Sequence, residues 1–554
     1  MRLENIIRDG QLVLVRLEHG DNADEMRVAV EPHAEGMKFI AISHVWADGR
    51  GNPRENSLPT CVLMQIQNLV DRLPPTGPGG PCPFWIDTLC VPREPRSLRD
   101  AALKRLRDPY VLAVNTRVVD SYLERQEASG ASSTELIARV SACGWTQRLW
   151  TFQEGRLPKQ VWFFFKDKCV NLWNEVDGWR DTFRRIPPLA SHEVELMVMA
   201  NHTATTIYPG LFQVVGISSV TVLRGALKTR STSVQTDEAL CLASILELDM
   251  RPILDAPPEA RTQVFWSLVP KVPTGLALSR SRRKLSMRGF RWAPESFMGQ
   301  MRQADWGGPL GIDSAYDARV AAHGLVVSLP ALLFAASHGP DAALSKERFV
   351  NVVQETGSEI LIHDDQGRWF VCTTENDWHQ ELPTIEANDH PVIIMDRSLK
   401  FGKDSVLRVT HDFQMQGAQK GVIAFHDSDA TEGGVVQVRA LRHILLQMLS
   451  RKQHEILALL LRLVNNISLE NKQTLDSLPH GSEEADKFKE ELVFDGLKES
   501  SGLDIMHAIR EARGSPHDEK LAISQCANWF SQLYRLAPWT AMRFSHGPME
   551  WCID

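Results

Sequence analysis

From residue 38 to about 166, short apolar runs alternate with segments whose apolar positions recur at helical spacing. "KFIAISHVW" (38–46) reads as a buried strand ending in polar and turn residues, and "CVLMQIQNLVDRL" (61–73) reads as a helix. The Pro/Gly-rich "PPTGPGGPCP" (74–83) is a loop by composition, and "FWIDTLCV" (84–91) reads as a second strand. "SLRDAALKRLRDPYVLAVN" (97–115) opens with helix-start residues, Ser97 and Asp100. "TRVVD" (116–120) and "KQVWFFF" (159–165) give a third and a fourth strand, with helices predicted at "STELIARVSAC" (133–143) and "WTQRLWTFQE" (145–154). Strands separated by helices predict a parallel, doubly wound sheet, the α/β class.

Beyond that region the periodicity changes. Residues 167 to about 285 read as mainly helical, including "TDEALCLASILEL" (236–248). Between 345 and 440, "RWFVCTT", "PVIIMD", "VLRVTH", "KGVIAFHD" and "GGVVQVRA" are short β-type runs separated by turn residues, predicting a small antiparallel sheet or barrel without a catalytic group. The remainder from 440 reads as helical, led by "HILLQML" and "EILALLLRLV". The organisation expected is a lead-in at 1–37, an α/β domain at 38–166, a mainly helical region at 167–300, a β-rich module at 301–440 and a helical region at 441–554. No internal repeat is visible.

Composition narrows the function classes. At 554 residues the chain is too long for one ordinary core. Apolar content of 43% and charged content of 23% are those of a folded protein. A formal net charge of -8 provides no basic field for nucleic acid, and the basic stretch 279–288 reads as a solvated loop. The apolar stretch 321–337 is short and broken by Gly324 and Pro330, and 439–464 carries several charges, so neither predicts a membrane span. Nine scattered cysteines without a C-x-x-C pair suit a reducing compartment, and the charged first twenty residues show no secretory signal; the expectation is cytoplasmic.

Phosphate-loop, dinucleotide-loop and nucleophile-elbow motifs are missing, and "HEILA" (454–458) has Ala458 where a zinc helix needs its second histidine, so no metal site is expected. Cys90 and His44 have the chemistry of a thiol and base pair, although a buried free cysteine is the commoner fate.

Three stretches stand out together: "IAISHVW" (40–46), "FWIDTLCV" (84–91) and "RLWTFQE" (148–154). In order and spacing they resemble the fungal heterokaryon incompatibility (HET) domain, and "TRSTSVQTDEALCLASIL" (229–246) followed by "RWAP" (291–294) is similar to what trails that domain. The resemblance covers residues 38–155 most strongly, weakens to 300 and ends there. Ala47 and Pro92 depart from the pattern, the first where a glycine often follows the SHxW motif. The resemblance implies a TIR-like, flavodoxin-like sheet. It also implies a role in nonself recognition or cell death, through protein partners or self-association.

In NAD-cleaving TIR domains a tryptophan stands four residues before the catalytic glutamate, and Trp150 and Glu154 match that spacing, which on a helix puts both on one face. The resemblance thus implies Glu154 as catalytic residue, NAD as substrate with no other cofactor, and Ser43, His44, Asp87, Cys90 and Trp150 around the substrate pocket. The chemistry is coherent, because cleaving the nicotinamide–ribose bond expels a neutral group from a pyridinium and so needs one carboxylate rather than the usual pair. Ligands of doubly wound sheets lie beyond the carboxyl ends of the strands, where Ser43, His44 and Asp87 fall. Gly155 and Pro158 place Glu154 near a helix C-terminus, where a carboxylate is disfavoured by roughly 0.3–1 kcal/mol. Two other readings stay open: a non-enzymatic assembly module whose motifs are core, and a regulatory relative serving another pathway.

Overall fold

A computed structural model describes residues 2–19, 26–72, 81–183, 223, 226–227, 229–273, 276, 284–298, 317–334, 359–364, 368–374, 389–395, 418–432, 435–449, 451–479, 482–499, 519–536, 541–544 and 549–553. The chain divides into two compact units, residues 1–270 with 295–301, and 271–294 with 302–554.

The first unit is built on a mixed seven-stranded sheet. Its strands are β1 (Val13–His19), β2 (Met26–Pro32), β3 (Ile40–His44), β4 (Phe84–Trp85), β5 (Asn115–Val119), β6 (Val161–Phe164) and β7 (Cys169–Asn171), in the order β2-β1-β4-β3-β5-β6-β7. The four central strands, β4-β3-β5-β6, are parallel. The β1/β2 hairpin joins β4 antiparallel and β7 closes the other edge antiparallel. Every residue of β3 and β5 is buried, as central parallel strands covered on both faces require.

Helices cover both faces. Residues of α1 (Arg2–Arg8), α2 (Thr60–Asp71), α4 (Arg96–Leu103) and α5 (Asp108–Leu112) share one apolar cluster with Ile40, Ile42, Phe84, Val119 and Phe164. Residues of α6 (Ser133–Ala142) and α8 (Leu172–Phe183) share another with Val118 and Phe163. Val118 and Val119 thus enter different clusters, as do Phe163 and Phe164, which is the alternation a pleated strand imposes. Ser132 caps α6 by accepting from the Glu135 N–H, with the S-x-x-E spacing that signals a helix start.

Several local expectations change. The second predicted strand stops at Trp85, because Asp87 opens a short helix, α3 (Asp87–Cys90), on its own side chain. Residues 145–154 are not one helix: a single 3₁₀ turn (Trp145–Gln147) and an extended Arg148 precede α7 (Thr151–Arg156). Glu154 stands fourth in this six-residue helix, within its first turn and two residues before its end at Arg156, so it lies near the helix C-terminus as expected but near the N-terminus as well. Residues 1–37, without a fold in the sequence reading, supply α1 and the β1/β2 hairpin.

The helical stretch after 229 belongs to this unit as α9 (Asp237–Ile245), α10 (Arg251–Asp255) and α11 (Arg261–Leu268).

The second unit is a largely antiparallel sheet of eleven strands among the described residues, β8 (Lys271–Pro273) through β18 (Met549–Ile553). Among them, β13 (Trp369–Thr374) pairs with β16 (Val435–Met448), and that pairing closes seven strands into a ring. Residues 443–448 are the end of β16, not the predicted helix; the helix begins only at Arg451. An isolated apolar run cannot distinguish the two, and here cross-strand pairing with β13 and with β15 (Ala418–Glu432) decides. Two further C-terminal segments, β17 (Ala541–Phe544) and β18, are likewise strands inside the region predicted helical. Four helices, α12 (Arg451–Asn465), α13 (Leu469–Ser477), α14 (Glu483–Glu499) and α15 (Glu519–Leu536), pack with Leu361 and Val371 of the ring. The predicted run 406–411 lies outside the described residues, as do residues 279–283 of the basic stretch 279–288.

Candidate functional site

Strand β3 runs out at Ser43 and His44, both buried in the middle of the parallel strands. Ser43 Oγ receives the indole N–H of Trp145 at 2.5 Å and donates to Glu154 Oε2. Trp145 is itself fixed. Its backbone N–H donates to Asp120 Oδ2 at 2.9 Å just beyond β5, and its ring meets Phe163 edge-on at 5.3 Å. Strand ends β3 and β5 thereby hold the turn before α7, and α7 brings Glu154 to the rim.

Burial, with the neighbouring negative charge of Asp87, pushes the Glu154 carboxyl up to about 7 against the opposing pull of Ser43, His44 and a hydrogen bond with Tyr110. A glutamic acid with this value is about half ionised at neutral pH, so it can accept or supply a proton there. Tyr110, on α5, is fully buried and meets Trp85 edge-on at 5.4 Å. Burial and the nearby carboxylates push its phenol well above the usual range, so it serves as a hydrogen-bonding phenol.

The second carboxylate has the opposite setting. Burial alone would raise Asp87, but the His44 charge and hydrogen bonds from His44, Trp46 and the Thr88 N–H hold it below its ordinary value. The distances are 2.9 Å to His44 Nε2, 2.7 Å to Trp46 Nε1 and 2.6 Å to Thr88 N. An aspartate accepts only, so Nε2 of His44 carries a proton, and His44 Nδ1 has no partner among the described residues. Trp46 is held from outside as well: the Arg93 guanidinium lies 4.2 Å from its ring centroid, and a Cβ at Gly51 would come within 2.5 Å of the ring. Two carboxylates within electrostatic reach of one another thus have their pKa values driven apart, the setting that acid/base chemistry uses.

The site is supported from a distance in sequence. Arg230 is buried, donates to Arg148 O at 2.6 Å and Thr151 Oγ1 at 2.9 Å, and lies over the rings of Phe152 and Trp145. Ser231 exchanges backbone hydrogen bonds with Gln147 and Leu149, at 2.7 and 2.9 Å. Segment 230–231 thus clamps the turn that carries Trp145 and leads into α7.

Of the residues singled out in the sequence, Ser43, His44, Asp87 and Glu154 come together. Trp150 does not join them. It stands at the N-terminal boundary of α7 and its indole N–H donates to Asp237 Oδ2 at 3.1 Å. Cys90 is close enough to feel the Asp87 charge, but burial pushes its thiol up to about 12, so it is not a nucleophile at neutral pH. Trp145, Tyr110 and Trp46 belong to the cluster and lie outside the predicted set, whereas Thr88 follows the second strand at the same rim as Asp87. Trp46 lay inside the quoted "IAISHVW" stretch, which was the available signal; Tyr110 had none. Among the described residues no group of His, Cys, Asp and Glu could hold a metal ion, and no helix is long and apolar enough to cross a membrane. The chain shows no match to a protein-family model, a curated protein or a solved structure.

Proposed function

We propose that the first unit is a TIR-like domain that hydrolyses NAD at the nicotinamide–ribose bond, with Glu154 as the catalytic carboxylate, in an intracellular effector of nonself recognition or cell death. The observation that carries the reading is the state of Glu154: a half-buried carboxyl titrating near neutrality, at the carboxyl edge of parallel strands, beside an ionised Asp87. The strand order β4-β3-β5-β6 supports it, since in chain order this is the 2-1-3-4 arrangement of flavodoxin-like sheets, whose ligands sit where the order reverses. The HET-like motifs supply the remaining support.

In the proposed reaction the ionised Glu154 holds the ribose hydroxyls and stabilises the oxocarbenium charge as nicotinamide leaves neutral. Water adds to the cation and its proton passes to solvent or to a base at the rim. Nicotinamide release by the full-length protein, set against Glu154→Gln, tests the reading: wild type active and the variant lower by about 10²- to 10³-fold is the expected result. Release by neither form, at concentrations that allow self-association, would sink it.

One observation favours the assembly reading. Ser43 and Tyr110 already pair with Glu154 from within the protein, as they would in a purely structural polar cluster. That reading expects signalling to survive Glu154→Gln.

A further inference from the structure

With Glu154 ionised, the hydrogen bonds around Ser43 have one consistent polarity. An indole nitrogen donates and cannot accept, so in the 2.5 Å contact Trp145 is the donor and Ser43 Oγ the acceptor. Ser43 has a single hydroxyl proton, and its other side-chain partner among the described residues is Glu154 Oε2. With Glu154 ionised the proton lies on that line and Oε2 accepts it. The serine oxygen keeps a second lone pair beside the one the indole takes, so a protonated Glu154 can also donate to it; in either state the fully buried indole, Ser43 and Glu154 form one hydrogen-bonded line.

We propose that Trp145 is a positioning residue for Glu154: by donating to Ser43 Oγ it polarises the serine hydroxyl and strengthens its donation to Oε2 of the ionised carboxylate, so that indole, serine and carboxylate act as one relay. That Glu154 meets substrate rests on the hydrolase reading; the relay itself does not. Trp145 suits the task because little about it can move. Asp120 holds its backbone N–H, Thr151 donates to its carbonyl, and the Arg230 guanidinium lies 5.9 Å from its ring centroid. The groups that bear on Glu154 from the surrounding elements are His44 on β3, Asp87 on α3, Tyr110 on α5, Cys241 on α9, and Arg230. Among the described residues, the side-chain hydrogen bonds of Ser43 Oγ are those with Trp145 and Glu154, so the relay can be separated from these groups.

The test is a nuclear magnetic resonance titration of the full chain carrying indole-¹⁵N tryptophan and carboxyl-¹³C glutamate, with Glu154→Gln and Trp145→Phe assigning the two signals. In wild type the Trp145 indole resonance should follow pH with the same midpoint as the Glu154 carboxyl, because a change of charge on Glu154 repolarises Ser43. Ser43→Ala should abolish the indole response and raise the Glu154 midpoint by roughly one to two pH units. Trp145→Phe should raise it by a few tenths of a unit, and in the Ser43→Ala background should add nothing. An indole resonance that ignores Glu154 in wild type overturns the relay. So does a Trp145→Phe shift that is as large without Ser43 as with it. Should Trp145→Phe fail to fold, the wild-type and Ser43→Ala titrations decide alone. Activity is not the readout, so a chain that releases no nicotinamide would defeat the hydrolase reading and leave the relay standing.

Discussion

Glu154 and Asp87 are two carboxylates in one site with opposite consequences for stability. The folded value of Glu154, about 7, lies above its ordinary 4.5, so the folded state binds the extra proton between those values. Its contribution is fully present below pH 4.5 and is lost as pH rises through 7. Urea unfolding at pH 5 and pH 8 should therefore show wild type losing more stability over that interval than Glu154→Gln, which has no charge to bury; equal losses would refute the assignment. If Glu154 acts ionised, nicotinamide release should rise with pH around a midpoint near 7. Asp87→Asn removes a charge that raises Glu154, so it should move that midpoint to lower pH, and a midpoint moving upward would contradict the geometry. At this scale the sequence was informative where residues follow strand ends, as Ser43, His44 and Asp87 do. It was uninformative about Trp145 and Tyr110, because a hydrogen bond between residues 43 and 145 leaves no periodicity to read.

Elements hold these residues through close contacts that no periodicity encodes. Gly51 is one: a Cβ there would lie 2.5–2.7 Å from Trp46 atoms near the root of its side chain, which cannot swing away cheaply. Gly51→Ala should displace Trp46 from Asp87, destabilise by about 1–3 kcal/mol, and raise the Asp87 pKa by removing a donor to its ionised form. Comparing the urea midpoints and carboxyl titrations of variant and wild type checks both, and an unchanged pair would show that the backbone at residue 51 gives way while Trp46 stays on Asp87. Strands β3 and β6 are readable in the sequence from their apolar runs, residues 40–42 and Val161–Phe164, whereas β5 opens with Asn115, Thr116 and Arg117 and only its Val118 and Val119 carry the apolar signal. The same rule misled at 443–448, where an apolar run next to a true helix was read as its first turns although it is the end of a long strand. The length of a run does not reveal its pairing partner.

On the scale of the molecule, the motif-bearing stretch is shorter than the body that stabilises it. The sequence patterns concentrate between 38 and 155, whereas the compact unit takes in residues 1–270 and 295–301. The difference has a physical content that can be enumerated at α7. Without the segment after 229, Arg148 O and Thr151 Oγ1 lose Arg230, Gln147 O and the Leu149 N–H lose Ser231, and the Trp150 indole loses Asp237. Each buried polar group left without its partner costs about 1–3 kcal/mol. Against a typical total stability of about 5–15 kcal/mol for a domain, several such losses around one turn remove most of the margin. Residues 1–166 expressed alone should therefore retain helical far-ultraviolet signal but show no cooperative thermal transition in the near-ultraviolet band of Trp145 and its neighbours, while residues 1–301 should show one. A cooperative transition of equal midpoint in both pieces would mean that the α7 turn is held by the sheet alone, through Asp120 and Ser43. The site would then be as local as its motifs suggest.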